Sequence, residues 1–145
     1  MQGLEITFGS PQYEAAVALR YEVLRKPLGM QFDPEVLAKE GSDIHVGLVD
    51  GDALLATAML RPDVDGVAWM KQVAVQPSMH GKGLGRVLIE ALETIARQKS
   101  FSHIKLHSRA TAVPFYKKLG YTTFGEPFDE VGIPHEAMEK VLLIV

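Results

Sequence analysis

A run of glycines that leads directly into an amphipathic repeat is the feature that most restricts how this chain can fold. The stretch MHGKGLGRVLIEAL, residues 79–92, contains Gly81, Gly83 and Gly85. Apolar residues then recur at i, i+3, i+4 and i+7, which predicts an amphipathic helix up to about Lys99. Each glycine in a helical turn costs roughly 0.5–1 kcal/mol relative to alanine, so we expect these glycines to serve a compensating purpose.

A glycine-rich helix start of this kind is suited to bind a phosphate group. The first backbone N–H groups of a helix lack partners within it, and the helix dipole adds partial positive charge. Lys82 and Arg86 add formal charge, which suits a pyrophosphate without a metal ion. The Walker A pattern fails because Lys82 precedes the second glycine, and the dinucleotide pattern fails at Arg86 and Leu88. A tight turn with close helix packing is the alternative interpretation.

Turn and capping signals divide the remaining chain into short elements. Ser10 and Pro11 indicate a helix start, and Asp50-Gly51 indicates a hairpin. The predicted strands cover residues 4–9, 44–49, 53–60, 67–77, 103–108, 121–125 and 135–145. The predicted helices begin at Pro11, Pro34, Leu84 and Ala110. Tyr13, Val17, Tyr21 and Leu24 are predicted to lie on one face of the first helix.

This order of elements, βααβββαβαββ, predicts an α+β fold. The strand–helix–strand unit after Asp65 implies one parallel pair within a mixed, mostly antiparallel sheet flanked by helices in three layers. A length of 145 residues suits one domain over residues 1–145. The closing strand EAMEKVLLIV is long and apolar, at or near a sheet edge, and a homodimer is one way to cover it.

Composition narrows the classes of function. A net charge of −3 gives no bulk attraction to nucleic acid or an anionic membrane. The lack of cysteine excludes disulfides, thiolate metal sites and a cysteine nucleophile, and it fits a reducing cytoplasm. No signal peptide is evident, and no apolar stretch approaches the roughly 20 residues that span a bilayer.

Two motifs together resemble the GNAT acyltransferase superfamily. VAVQPSMHGKGLGRVLIEAL is similar to its acetyl-coenzyme A signature, in which [QR]-x-x-G-x-[GA] opens a long helix. His80 stands at the Gln/Arg position, and Gly83 and Gly85 are the glycines. RATAVPFYKKLGY is similar to the family helix N-x-x-A-x-x-F-Y-x-x-x-G-[FY], with Arg109 in place of the Asn.

The resemblance implies acyl transfer from acetyl-coenzyme A, usually to an amine. In that fold the strands on either side of the long helix splay apart, and the pantetheine arm pairs with the first of them. The backbone of Val73 and Val75 would form these hydrogen bonds, and an N–H near Val73 would polarise the thioester carbonyl. The implied cofactor-binding residues are Val73, Ala74, Val75, His80, Gly81, Lys82, Gly83, Leu84, Gly85, Arg86 and Phe115.

Direct attack needs an acid for the leaving thiolate and a base for the amine proton. Tyr116 matches the family tyrosine and is the expected acid. The candidate bases are His45, His107, His135, Glu130 and Glu136, or a relayed water. His107 ends its strand beside the expected gap, and His135 lies in FDEVGIPHEAMEK, which resembles one group of small bacterial members whose acceptor pocket includes this region. We expect His107 and His135 to be the catalytic candidates.

No metal site is predicted. His103 and His107 would meet one ion on a helix, but on the predicted strand they lie about 13 Å apart.

The acceptor wall is expected in the first helices, where Arg25, Leu28 and Met30 are the predicted substrate-binding residues. Arg25 is suited to hold a carboxylate or phosphate, and a solvated positive helix end is the alternative. No long acidic groove for a lysine-rich peptide is evident, so the expected acceptor is a small amine.

Two other functions stay open at this stage. One is an acyl-coenzyme A binding or sensing module with weak turnover, because His80 and Arg109 depart from the family pattern. The other is a nucleotide-binding protein without acyl chemistry.

Overall fold

Seven strands and four helices make up the computed structural model, which describes residues 1–142. The strands are β1 (Gln2–Ile6), β2 (Ile44–Asp50), β3 (Ala53–Pro62), β4 (Val67–Val75), β5 (His103–Arg109), β6 (Thr122–Glu130) and β7 (Ile133–Val141). The helices are α1 (Pro11–Arg20), α2 (Pro34–Ala38), α3 (Leu84–Gln98) and α4 (Val113–Lys118). Short turns flank them: a π turn (Tyr21–Arg25) and 3-10 turns at Lys26–Leu28, Lys39–Ser42, Pro77–Met79 and Ala110–Ala112.

The strands form one sheet in the order β1-β2-β3-β4-β5-β7-β6. The β4–β5 pair is parallel because α3 carries the chain back across the sheet, and every other neighbouring pair is antiparallel. Helix α3 packs on β1 to β4 from one face, and α1 packs on β3 and β4. The predicted element order, the mixed sheet and its single parallel pair are confirmed.

The main core lies between α3 and the sheet. Leu88 and Leu92 of the helix are fully buried against the strand residues Val46, Leu60 and Ile104, all at 0% exposure. These are the positions that the 3.6-residue repeat of α3 and the two-residue alternation of the strands place on one side. The glycine-led amphipathic helix is therefore confirmed.

The first strand is shorter than predicted. It ends at Ile6, because the chain turns at once: Gly9 has a φ of 79°, and Ser10 N–H donates to Thr7 O at 3.1 Å. Ser10 then caps α1 by accepting from Tyr13 N–H at 3.1 Å, with Pro11 in the first helical turn. The predicted helix start is confirmed.

The prediction that one regular helix carries Tyr13, Val17, Tyr21 and Leu24 on a single face is partly wrong. The α-helix ends at Arg20, and a π turn follows, in which Lys26 N–H donates to Tyr21 O. The wider turn changes the direction of the later side chains, so Tyr21 and Leu24 are only half-buried. The buried residues of α1 are Tyr13, Ala16, Leu19 and Arg20.

The closing hairpin also differs from the prediction. Strand β6 continues to Glu130 and β7 begins at Ile133, so the strands are joined by a tight turn. Strand β7 lies between β5 and β6, which occupy both sides of its backbone and leave no open edge there. The predicted strand residues 143–145 lie outside the described residues. No helix within residues 1–142 is long and apolar enough to cross a membrane.

Candidate active site

Strands β4 and β5 are paired at one end and separate at the other. Their parallel register runs from Val67 opposite His103 to Met70 opposite Leu106 and then stops. Beyond that point β5 continues in register with β7 alone. We call the gap between β4 and β5 beyond these pairs the fork. It opens toward the glycine stretch, because β4 leads into that stretch.

A bulge in β4 lies at the start of the fork. Gln72 has a φ of 57°, and the pairing with β3 shifts between Thr57 and Met59, so β4 carries one extra residue there. Past the bulge, Gln76 N–H donates to Leu55 O at 2.9 Å. Backbone groups alternate in direction along a strand, so those of Val73 and Val75 face away from β3, into the fork. Ala74 faces β3, and its side chain is 1% exposed in the core.

The glycine stretch forms a loop whose backbone only glycine adopts easily. Gly81 and Gly83 have φ values of 79° and 76°, and a Cβ at either position would meet nothing within 4 Å. Their conformation, not crowding, therefore requires glycine. Gly85 differs, since a Cβ there would lie 3.3 Å from Phe115 Cζ. Close packing thus explains Gly85, and an open backbone surface explains Gly81 and Gly83.

Charged and polar side chains surround this loop. Lys82 and Arg86 are exposed, and Arg86 pairs with Glu90 at 2.9 Å. Leu84 points into the core at 4% exposure. His80 Nε2 lies 2.9 Å from Val75 O, so the imidazole donates to a carbonyl of the open backbone. The resemblance implies that His80 binds the cofactor, and in this structure its ring contacts the backbone of β4.

Helix α4 places two aromatic residues behind the loop. Tyr116 is 7% exposed and belongs to the same packed cluster as Val73 and Val75. Its ring meets Phe115 edge-on at 5.0 Å. Burial raises the pKa of Tyr116 to about 12, so the phenol is protonated throughout the neutral range. Within residues 1–142 its hydroxyl has no hydrogen-bond partner, which leaves it available to a ligand. Arg109, the other departure from the family pattern, is exposed at the end of β5.

A cavity of about 480 Å³ lies between α3 and α4. Its lining residues are Arg86, Ile89, Glu90, Glu93, Phe115, Lys118, Leu119 and Lys140. Lys140 pairs with Glu93 at 3.0 Å and Arg86 pairs with Glu90 at 2.9 Å, which leaves Lys118 as the lining cation without an ion pair within residues 1–142. The cavity adjoins the glycine loop through Arg86.

Two of the predicted histidines meet around one carboxylate. His107 Nδ1 lies 3.0 Å from Glu130 Oε1, and His135 Nε2 lies 3.5 Å from Glu130 Oε2. Trp69 and Phe128 meet the His107 ring edge-on at 5.3 and 4.9 Å. In the register of β5 these groups lie on the sheet face opposite α3, since the alternate residues pack toward that helix.

The cluster fixes the roles of the ring nitrogens. Glu130 accepts the Nδ1–H of His107, so His107 Nε2 is the nitrogen free to take a proton. His135 Nδ1 donates to Ile133 O at 2.7 Å, and His135 is 5% exposed. His107, which is 38% exposed, is the more accessible base.

The other candidate bases lie elsewhere. His45 is 3% exposed, and its Nε2 lies 2.9 Å from Glu40 O under helix α1. Glu136 alternates with His135 along β7 and so faces the α3 side. His103 and His107 share strand β5, as predicted, and His103 Nδ1 lies 2.8 Å from Ser102 Oγ. Among residues 1–142 no group of three His, Asp or Glu side chains has metal-binding geometry.

The first helices flank the fork through Arg25. Arg25 Nη2 donates to Gln72 Oε1 at 3.3 Å, and its guanidinium lies 4.9 Å from the ring centroid of Phe32. Leu28 and Met30 are each 39% exposed on the following turn. Met30 N–H donates to Arg25 O at 2.9 Å, which folds this segment back on itself.

Sequence reasoning missed a buried charge pair below this segment. Arg20 donates from both terminal nitrogens to Glu40 at 2.8 and 2.7 Å, and Tyr13 donates its hydroxyl to the same carboxylate at 2.8 Å. Burial alone would raise the pKa of Glu40, but the hydrogen bonds and charge of Arg20 lower it below its usual value. Gln72 and its bulge were also missed, since no local pattern marks a glutamine for a positive φ.

Known proteins share these features. The sequence profile of the family described as "Acetyltransferase (GNAT) domain" matches residues 21–142. A protein of Bacillus subtilis (strain 168) that bears an acetyltransferase name is 33% identical over 128 residues, which cover 88% of this chain and 86% of that protein.

Solved structures agree with the sequence relatives. The crystal structure of a Lactobacillus plantarum protein designated an N-acetyltransferase has a TM-score of 0.84 at 31% identity, and covers 99% of this chain and 100% of that one. An aminoglycoside 6'-N-acetyltransferase complexed with coenzyme A shares the fold, with a TM-score of 0.80 at 18% identity over 99% and 98% of the two chains. This chain therefore belongs to the GNAT acetyltransferase family and is an acyl-coenzyme A-dependent N-acetyltransferase.

Proposed function

We propose that this enzyme moves an acetyl group from acetyl-coenzyme A to the amine of a small acceptor by direct attack. The fork is the observation that carries the proposal. Its open backbone at Val73 and Val75 offers strand-type hydrogen bonds to an extended chain with amide groups, which is the chemistry of a pantetheine arm. Val73 N–H, next to the bulge, is the proposed donor to the thioester oxygen.

The rest of the proposed cofactor site follows the chain beyond β4. The open loop at Gly81 and Gly83 is suited to a pyrophosphate, with Lys82 and Arg86 nearby. The cavity beside Phe115 is the proposed place for the nucleotide end. His80 belongs to the proposed site because its imidazole donates to Val75 O. The pantetheine arm would use the same carbonyl, so the two donors would compete for it.

The proposed reaction forms one bond and breaks one. The amine nitrogen attacks the thioester carbon, the oxygen gains charge beside Val73 N–H, and the C–S bond then breaks. A phenol whose pKa is about 12 is a weaker acid than a thiol, whose pKa is about 8.5. We therefore assign Tyr116 a hydrogen bond to the leaving sulfur, which lowers the barrier without complete proton transfer.

The amine proton needs a separate acceptor, and His107 is the proposed base. Its Nε2 is free because Glu130 accepts the other ring proton at 3.0 Å, the arrangement that orients a catalytic imidazole. His135 Nε2 lies 3.5 Å from the other oxygen of the same carboxylate. The partly exposed position of His107 lets an amine reach it directly or through one water.

Titration calorimetry with acetyl-coenzyme A, and with NAD and ADP as controls, tests the cofactor site. We expect micromolar binding of acetyl-coenzyme A and at least tenfold weaker binding of NAD and ADP, because neither control has a pantetheine arm. Equal affinity for ADP and acetyl-coenzyme A would contradict the role of the fork.

Tyr116→Phe tests the chemistry. We expect kcat to fall about 10²-fold with cofactor affinity unchanged, because the variant loses only the hydroxyl at the sulfur. Thiol release across an amine panel gives kcat, and calorimetry gives the affinity. The matched control is Tyr21→Phe, a half-buried tyrosine on the π turn, for which we expect no change. An unchanged kcat for Tyr116→Phe would remove Tyr116 from the mechanism.

A further inference from the structure

Arg25 is a half-buried cation beside the fork with incomplete hydrogen bonding. Its contacts to Leu24 O and Gln72 Oε1 are long, at 3.4 and 3.3 Å. No carboxylate within residues 1–142 forms an ion pair with it. Burial and the charge of Arg20 lower the pKa of Arg25, and the charge of Glu40 offsets this lowering only in part. A guanidinium in this state gains strongly from an anion.

The neighbouring charges do not neutralise Arg25. Arg20 lies on the same Phe32 ring, at 4.9 Å from its centroid, but both terminal nitrogens of Arg20 are taken by Glu40. Glu40 also accepts from Tyr13, so this carboxylate is satisfied. Glu40 is therefore fully engaged and only the buried Nε of Arg20 lacks a partner within residues 1–142, so the charge of Arg25 remains for a ligand.

Gln72 places this charge next to the reacting atoms of the proposed mechanism. Its Oε1 accepts from Arg25, which leaves its Nε2 as a donor that no group in residues 1–142 accepts. Gln72 directly precedes Val73, the proposed donor to the thioester oxygen, at the bulge where the fork begins. The guanidinium and the amide NH2 together present donors for two oxygens close to the thioester position. One unpaired cation matches a monoanion better than a dianionic phosphate.

We propose that the acceptor carries a carboxylate one or two carbons from its amine, as in an amino acid, and that Arg25 and Gln72 receive that carboxylate. This proposal rests on the proposed function, because the amine must reach the thioester at the fork. The apolar Leu28 and Met30, each 39% exposed on the adjoining turn, favour acceptors with an apolar side chain.

The test compares acceptors that differ only in the carboxylate. Thiol release from acetyl-coenzyme A is measured with leucine, methionine and phenylalanine, with their carboxamides, and with the decarboxylated amines. We expect the acids to have the highest kcat/KM. Arg25→Gln should lower kcat/KM for the acids by about 10–100-fold and leave the amides within about twofold. For each acceptor, the kcat/KM of the variant is divided by that of the wild type. This ratio removes the difference in amine basicity between acid and amide.

Two matched variants separate charge from geometry. Arg25→Lys keeps the charge but not the planar fork, so we expect most of the loss to persist. Lys26→Gln removes the cation that follows Arg25 in the chain, which is exposed and pairs with Glu22. We expect this variant to leave kcat/KM unchanged for both acids and amides. Equal losses for acids and amides in Arg25→Gln would overturn the proposal in favour of a structural or oxyanion role.

Binding gives a readout that does not need turnover. With coenzyme A present, N-acetyl-leucine should bind the wild type by calorimetry at least tenfold more tightly than N-acetyl-leucinamide, and Arg25→Gln should abolish the difference. Equal binding of the two overturns the carboxylate site. Failure of acetyl-coenzyme A itself to bind would instead count against the proposed function, so the two failures are distinguishable.

Discussion

The two halves of β4 differ in how their backbone groups are satisfied. Residues 68–70 pair with β3 on one side and β5 on the other. Past the bulge at Gln72, Val73 and Val75 have β3 alone, and their outward groups face the fork. One strand thus serves as sheet interior in its first half and as a proposed binding edge in its second.

The two halves are also supported by different kinds of contact. Ala68 and Met70 are buried in the aliphatic core under α3. The second half is flanked by polar contacts, in which Arg25 holds Gln72 and shares the Phe32 ring with Arg20. Apolar packing continues along the second half, since Ala74 is buried and Val73 and Val75 pack against the same core cluster, so polar contacts are added to packing, and do not replace it, where space must remain for a ligand.

Removal of the Glu40 charge, which neutralises Arg20 beside the second half of β4, should have the largest effect on the free energy of unfolding. Glu40→Gln leaves the buried Arg20 without its counter-ion, so we expect the free energy of unfolding to fall by about 3–5 kcal/mol in urea titrations. Glu22→Gln is the control, because its pair with Lys26 is exposed, and should change stability by less than about 1 kcal/mol. If Glu40→Gln lowers the free energy of unfolding no more than Glu22→Gln does, the buried charge pair is dispensable for stability.

Proline substitutions compare the two halves directly. Ala68→Pro removes an N–H from the part paired on both sides, and we expect a loss of about 3 kcal/mol or more in urea unfolding. Val75→Pro removes an N–H that faces the fork, so it should cost about 1 kcal/mol but weaken acetyl-coenzyme A binding about tenfold by calorimetry. If Val75→Pro binds normally, the open half is not the pantetheine edge.

Alkaline pH should weaken the packing behind the open half. Burial raises the pKa of Tyr116 to about 12, above the unfolded value of about 10. The folded state holds the Tyr116 proton more tightly than the unfolded state does. The protonated phenol therefore contributes fully to the free energy of unfolding below pH 10, and this contribution is lost as pH rises toward 12. Two pH units correspond to about 2.7 kcal/mol. Urea unfolding between pH 8 and 11 should decline more steeply for the wild type than for Tyr116→Phe, and parallel declines would contradict this assignment.

The smallest expected effect concerns His80. Its imidazole occupies Val75 O, so His80→Ala should free this carbonyl and raise acetyl-coenzyme A affinity about threefold, consistent with one exposed hydrogen bond. Lys82→Ala, in the same loop, should lower the affinity. A clear loss of affinity in His80→Ala would instead assign the imidazole to the phosphates.

Local signals predicted much of the fold but only part of the candidate site. The cap at Ser10, the hairpin at Asp50-Gly51 and the long amphipathic helix are confirmed because each depends on neighbouring residues. The predicted face of the first helix is wrong beyond Arg20, because a π turn replaces regular helix there, and nothing in YEVLR marks that change. His107, Glu130 and His135 were all named as candidates, but only the strand register shows that they meet.

The sequence by itself determined the order of elements, the glycine loop and the family, since these rest on residue types at short and fixed spacings. The tertiary structure decided where β4 and β5 separate, the bulge at Gln72, the burial of Arg20 against Glu40 and the free charge of Arg25. These features join residues 20 to 47 positions apart in the chain. Such contacts form only when strand register and helix packing bring distant segments together, so no local pattern in the sequence encodes them.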